Sequence, residues 1–184
     1  NLRQLVFYLK HLIVIRELLK ESQTNIPDFL DEKIFYLGKS YNLLCSDIKI
    51  GLLFNGNFDE NNKEFDDYIN LHRYKFKDDA NEIGGYIVLK NKKSSLIMDV
   101  GQAPEKKFSK DYQAGPLSFE FNFAGEKVIT NSGYFQNYKH QLNIISKSTA
   151  THSTLALNNT SVVRFERDKN GHMVVAKTFK IINK

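Results

Sequence analysis

LSFEFNFAGEKVITNSG, residues 117–133, decides the fold class. Apolar and polar side chains alternate strictly from Leu117 to Phe123, which is the two-residue period of a strand. Ala124-Gly125-Glu126 turns that run into a second one, residues 127–130. The alternation predicts Leu117, Phe119, Phe121 and Phe123 on a core face and Ser118, Glu120 and Asn122 outward. Moving out from there, GYIVLKNKKSSLIMDVG (85–101) predicts a hairpin about a basic turn. STLALNNTSVVRFERDKNGHMVVAKTF (153–179) predicts three more strands about Asn158-Asn159 and about residues 168–171. KIINK (180–184) reads as further strand.

Upstream, the grammar is helical. Residues 2–20 form one helix that is apolar on most sides, so it needs neighbours on most sides. After a break at 22–25, Leu30, Ile34, Leu37, Tyr41 and Leu44 make one helical stripe, with Pro27 in the first turn. IKIGLLFNG (48–56) reads as a strand ending in an Asn-Gly turn. Residues 59–71 predict a short surface helix. The change from helix to strand falls near residues 45–49. The expected class is α+β: two or more helices, then an antiparallel β-sandwich that continues past the end of the sequence.

Hydrophobic residues at 41% and charged residues at 26% allow a packed core and argue against disorder. The net charge of +5 favours anionic partners such as acidic polysaccharide, nucleic acid or lipid headgroups. The lysines are scattered, however. Lys90, Lys92 and Lys93 flank a turn, and Lys106, Lys107 and Lys110 sit in a loop, so both groups read as solvated surface. Aromatic residues are not interleaved with basic ones on an exposed face, which argues against nucleic acid. Arg3, Lys10, His11, Arg16 and Glu17 argue against a membrane span in the first segment. Cys45, the only cysteine, rules out an intrachain disulfide and reads as a buried, inert thiol. No phosphate loop, zinc-knuckle spacing or nucleophile elbow occurs. Asn158 and Asn159 match glycosylation sequons but read as turn residues. His140 and His172 lie near turns, and His11 and His72 on helix surfaces.

His152, inside KSTATHSTLALNN (147–159), stands among small hydroxyl residues. Three readings stay open: a metal ligand, a substrate contact, or a histidine satisfied by Thr151, Ser153 or Asn131. Asn131 with Gly133 fits a tight turn or a site.

SKDYQAGPLSFEF, VITNSGYF and STATHSTLAL, in this order and spacing, resemble the C-terminal β domain of the heparinase II/III-like polysaccharide lyase family. SDIKIGLLFNG and GGYIVLKNKKSSLIMDVGQAP extend the likeness upstream, so it covers about residues 2–165. It implies that residues 1–46 are the last helices of an α/α toroid and 47–184 an incomplete β-sandwich domain. It also implies β-elimination on uronic-acid-containing or cell-envelope glycans, in the cell envelope or periplasm. Most of the catalytic set in that family lies on toroid residues that this sequence does not contain, and Tyr8, Tyr36 and Tyr41 match no catalytic tyrosine motif. By position, the catalytic-loop histidine corresponds to Asp111, the first metal histidine to Gln113 and the metal carboxylate to Asn131, while His152 is retained. Some members hold a divalent metal, zinc or calcium. Here such a site would have one imidazole and two amides, and neutral amides are poor zinc ligands. The alternative expectation is a non-catalytic carbohydrate-binding or scaffold β domain.

Overall fold

A computed structural model of the chain describes residues 2–45, 51–57, 63–77 and 80–182. Two long helices open it, α1 (Leu2–Glu21) and α2 (Asp28–Cys45). The α2 stripe is as expected: Leu30, Ile34, Tyr41 and Leu44 are buried against α1 and the sheet. Each such side chain contributes about 1.5–3 kcal/mol on leaving water. Gly38 sits in this helix because the Phe76 ring lies against it; a Cβ there would come within 2.2 Å of that ring. Phe7, Tyr8, Leu18, Phe29 and Tyr36 remain exposed on the outer faces of the two helices. Cys45 is buried as expected, and burial pushes its thiol up to about 12.

The helix-to-strand junction expected near residues 45–49 lies, beyond Cys45, outside the described residues. Residues 51–54 form no strand; they run irregularly into a turn at Asn55-Gly56, with Leu52 and Phe54 buried in the core. A short helix follows, α3 (Lys63–Leu71), tied down by the Tyr41 hydroxyl donating to Asp66 at 2.7 Å.

The β part is an antiparallel sheet in sequence order: β1 (Glu82–Ile83), β2 (Tyr86–Lys90), β3 (Ser94–Asp99), β4 (Phe119–Phe123) and β5 (Glu126–Ile129). A separate hairpin pairs β6 (Arg164–Arg167) with β7 (Met173–Lys177). The chain is thus α+β, with helices first and antiparallel sheets after. Among the described residues, two further expected strands are absent. Residues 153–157 give only an isolated bridge, Leu157 with Thr160, around Asn158 and Asn159 in the left-handed region. Residues 180–182 are irregular. An unforeseen short helix, α4 (Gln141–Ser146), is capped by His140, whose ring accepts from Leu142 N.

The largest departure concerns β4. Its polar face is the buried one: Ser118, Glu120 and Asn122 are at most 5 % exposed, whereas Phe123 is 51 % exposed. Glu120 pairs with Ile97 in register, so this face joins Val88 and Ile97 under the helices. A buried carboxylate is tolerated only where donors surround it. Here Glu120 Oε1 accepts from Leu53 N, Asn131 N and Asn131 Nδ2 at 3.0–3.2 Å, and from Thr130 Oγ1 at 3.3 Å. Its Oε2 faces Lys127 Nζ at 3.7 Å, an ion pair too long to be a hydrogen bond.

Candidate functional site

A cavity of about 340 Å³ lies between the first turn of α1 and the end of the sheet where β2 begins and β3 stops. That volume falls within the range of small-molecule clefts. Gln4 reaches it from the helix, and Asn55 from its turn. Asn55 and Gly56 both have positive φ, 43° and 83°, which asparagine and glycine adopt at least cost. Tyr86 and Asp99, directly paired across β2 and β3, form the floor. Lys107, Lys110, Asp111 and Tyr112 come from the loop before β4 and form the far wall.

Asp99 is almost fully buried. Its Oδ1 accepts from Gly101 N at 3.0 Å and its Oδ2 from Asn55 Nδ2 at 2.6 Å. Burial pushes the carboxyl up to about 6, against the pull of those two bonds. Burial and the neighbouring Asp99 charge also raise the Tyr86 and Tyr112 phenols, so both hold their protons at neutral pH.

Asp111 lines the same cavity and faces Arg3 of α1 across 3.7 Å. Its backbone is fixed from behind by Lys147, a fully buried lysine. The Lys147 amine donates to the carbonyls of Lys110 at 2.6 Å and Tyr112 at 2.8 Å, the residues on either side of Asp111. The rings of Tyr134 and Phe165 lie 5.3 and 5.1 Å from that amine. Burial pushes it down to about 8.

Gln113, Asn131 and His152 lie on loops that do meet, since Ser132 N donates to Thr151 O at 3.1 Å and Gln113 reaches Gly133. Their side chains, however, serve different partners. Gln113 is a buried staple: Oε1 accepts from Gly56 N, while Nε2 donates to Gly133 O and Ser146 O. It thereby holds the turn that presents Asn55 to the cavity. Asn131 bonds Glu120 through Nδ2 and takes both the amide and the hydroxyl of Ser153 on Oδ1. His152 Nδ1 contacts the Ser148 carbonyl at 2.8 Å, so it must be the donor there, with the Thr151 hydroxyl at 3.3 Å. Burial lowers the imidazole pKa, and Nε2 is buried with no partner.

With both amides committed, the residues present do not fit a zinc or calcium ion. Among the described residues no three His, Cys, Asp or Glu side chains gather at one place.

The His152 ring packs on Gly115, where a Cβ would fall 2.6 Å from it. Gly115→Ala is therefore expected to destabilise the chain by about 1–3 kcal/mol through overpacking. Chemical denaturation measures this, and an unchanged midpoint would show the ring free to move away.

Sequence reasoning passed over Asn55, Tyr86, Asp99 and Lys147, and treated Lys107 and Lys110 as plain surface. One signal was available for Asp99: it shares strand parity with Ile97, so a carboxylate sits on a core-facing position at a strand end. For Lys147 no local signal exists, because its acceptors lie 35 and 37 residues away.

Solved structures with the same fold are heparinases. Heparan sulfate lyase HepC from Pedobacter heparinus superposes with a TM-score of 0.68 at 12% identity, covering 89% of this chain and 31% of that one. A heparinase III described as the BT4657 gene product gives 0.61 at 16% identity, covering 74% and 25%. A further heparinase III gives 0.59 at 15% identity, covering 89% and 34%. At these identities the likeness speaks for the fold alone, and the chain spans about a quarter to a third of each structure. No curated protein matches. The family model described as "Heparinase II/III-like, C-terminal" matches residues 78–179, more than half of the sequence, and so the chain belongs to the heparinase II/III-like C-terminal family.

Proposed function

We propose that this chain is the β-domain part of a polysaccharide lyase that cleaves uronate-containing glycans by β-elimination in the cell envelope or periplasm. The cavity carries the reading, because it brings together what the reaction needs. The Lys107 and Lys110 ammonium groups at its wall pair with a uronate carboxylate, which acidifies the C5 proton. Asp111 is the proton acceptor. The Tyr112 phenol, kept protonated by burial, is the donor to the departing 4-oxygen. Heparan sulfate is the first glycan to try, since that is the substrate named for HepC. No helix among the described residues is long and apolar enough to cross a membrane.

The test is ultraviolet absorbance of the unsaturated uronate, with the intact gene product on a panel of uronate glycans. Product should appear, and Asp111→Asn should lower turnover by about 10²-fold or more, the usual contribution of a general base. A folded protein that yields no unsaturated product on any glycan defeats the proposal. One observation favours a second reading, a carbohydrate-binding domain without catalysis: no imidazole lines the cavity. Binding without elimination would select it.

A further inference from the structure

The cavity has two chemically distinct ends. Its wall carries Lys107 and Lys110, both largely exposed, and its floor carries Asp99, Asn55 and Tyr86, all held by one another. Lysine amines at a rim recognise carboxylate or sulfate as point charges. They leave open why a buried carboxyl lies opposite them, where an anionic ligand would be repelled.

Among the described residues no side-chain cation is bonded to Asp99, so a structural ion pair with one of them does not account for it. Nor is it needed to cap the sheet: its backbone already bonds Ser118 and Leu117. Its side chain holds the Asn55 amide, and that amide also touches the Tyr86 hydroxyl at 3.3 Å. Two carboxylate oxygens offer about four acceptor positions. Gly101 N and Asn55 Nδ2 take one each.

We propose that Asp99, with Asn55 and Tyr86, is a sugar-hydroxyl subsite that binds the uncharged, hydroxyl-bearing edge of a glycan ring and so turns its anionic groups toward Lys107 and Lys110. This rests on the glycan-binding reading of the cavity and adds the specificity element to it. Sugar hydroxyls both donate and accept, and they suit a cluster of carboxyl, amide and phenol whose members do the same. A carboxyl pushed up to about 6 lies close enough to neutrality to serve in either state. A sulfate or carboxylate placed on this floor would meet Asp99 directly. The subsite therefore excludes the reversed orientation as well as favouring the correct one.

The probe is a heparan sulfate tetrasaccharide titrated calorimetrically into the chain, with three variants beside the wild type. Asp99→Asn keeps the shape of the side chain; the Asn55 amide can turn over to stay bonded. It should weaken binding about tenfold, the loss expected for a charged hydrogen-bond partner, with an unchanged melting temperature. Tyr86→Phe leaves both bonds to Asp99 in place and should weaken binding several-fold. Lys110→Ala should weaken binding chiefly at low salt. Wild-type binding that survives Asp99→Asn at full strength overturns the subsite while leaving the cavity reading intact. If Asp99→Asn does not fold, Tyr86→Phe decides, and undiminished affinity there overturns the subsite equally. A folded wild-type chain that binds no tetrasaccharide removes both the cavity reading and the subsite.

Discussion

Glu120→Ala is expected to destabilise the chain by about 4 kcal/mol, a large share of the roughly 5–15 kcal/mol that holds a domain folded. The reason lies in what the carboxylate holds. One oxygen accepts from Leu53 N, Asn131 N, Asn131 Nδ2 and Thr130 Oγ1. Alanine leaves two backbone N–H groups and a side-chain amide facing an apolar gap, and each orphaned group costs about 1–3 kcal/mol. The residue also fastens the segment before the Asn55 turn to the bend after β5, so both sides of the junction loosen together. Glu120→Gln keeps an acceptor for the four donors and loses only the long ion pair with Lys127. It should recover about half of the loss. Urea unfolding of both variants measures this; a cost below about 1 kcal/mol for alanine would mean that the donors find other partners.

Lys147→Met should cost about 2 kcal/mol at neutral pH, and more as the pH rises. Two opposing effects set the first number. Methionine removes the penalty of a buried ammonium, but it takes the amine donor from the carbonyls of Lys110 and Tyr112, leaving Lys110 only the longer bond from the Tyr134 hydroxyl. The pH dependence follows from the native amine at about 8, against about 10.4 in the unfolded chain. Below pH 8 both states hold the proton, and the buried charge weighs on the native state in full. Between those two values the native state releases its proton first, so the unfolded chain binds more protons and wild-type stability rises with pH. The slope approaches about 1.4 kcal/mol per pH unit. The variant lacks this rise, so the gap between the two proteins widens from pH 8 to 10. Parallel stability profiles over that range would contradict a depressed lysine. Because Lys147 brackets Asp111, amide exchange in residues 110–112 should also quicken in the variant.

Much of the fold could be read directly from the residues. The α2 stripe, the hairpin at 86–99, the turn at Ala124-Gly125 and the hairpin about 168–171 all follow from local periods and turn chemistry. Failures occurred where distant partners override local pattern. Phe119, Phe121 and Phe123 carry the apolar alternation of β4, yet the opposite face is the buried one. Periodicity shows that two faces differ; it does not show which one another segment covers. Residues 153–157 alternate like a strand but gain only the single Leu157–Thr160 bridge, and the Ser153 hydroxyl and amide serve Phe119 and Asn131 instead. The candidate site divided in the same way. Asp111 was singled out by its position in the family resemblance, and it lines the cavity. Gln113, Asn131 and His152 were visible as unusual polar residues, but their side chains turn inward to loop backbone and buried groups.

By itself, then, the sequence determined the class, the order of helices before antiparallel strands, and the family whose motifs it carries, because these depend on short-range period and spacing. The tertiary structure alone decided that Glu120 is interior, that Lys147 sits behind Asp111, and that Asn55, Tyr86 and Asp99 share one floor. Each of those facts needs a residue 30 or more positions away, as Asn55 is from both Tyr86 and Asp99, or a strand face with whatever covers it. Charge and polarity of a residue do not reveal such a partner until the chain has closed around it.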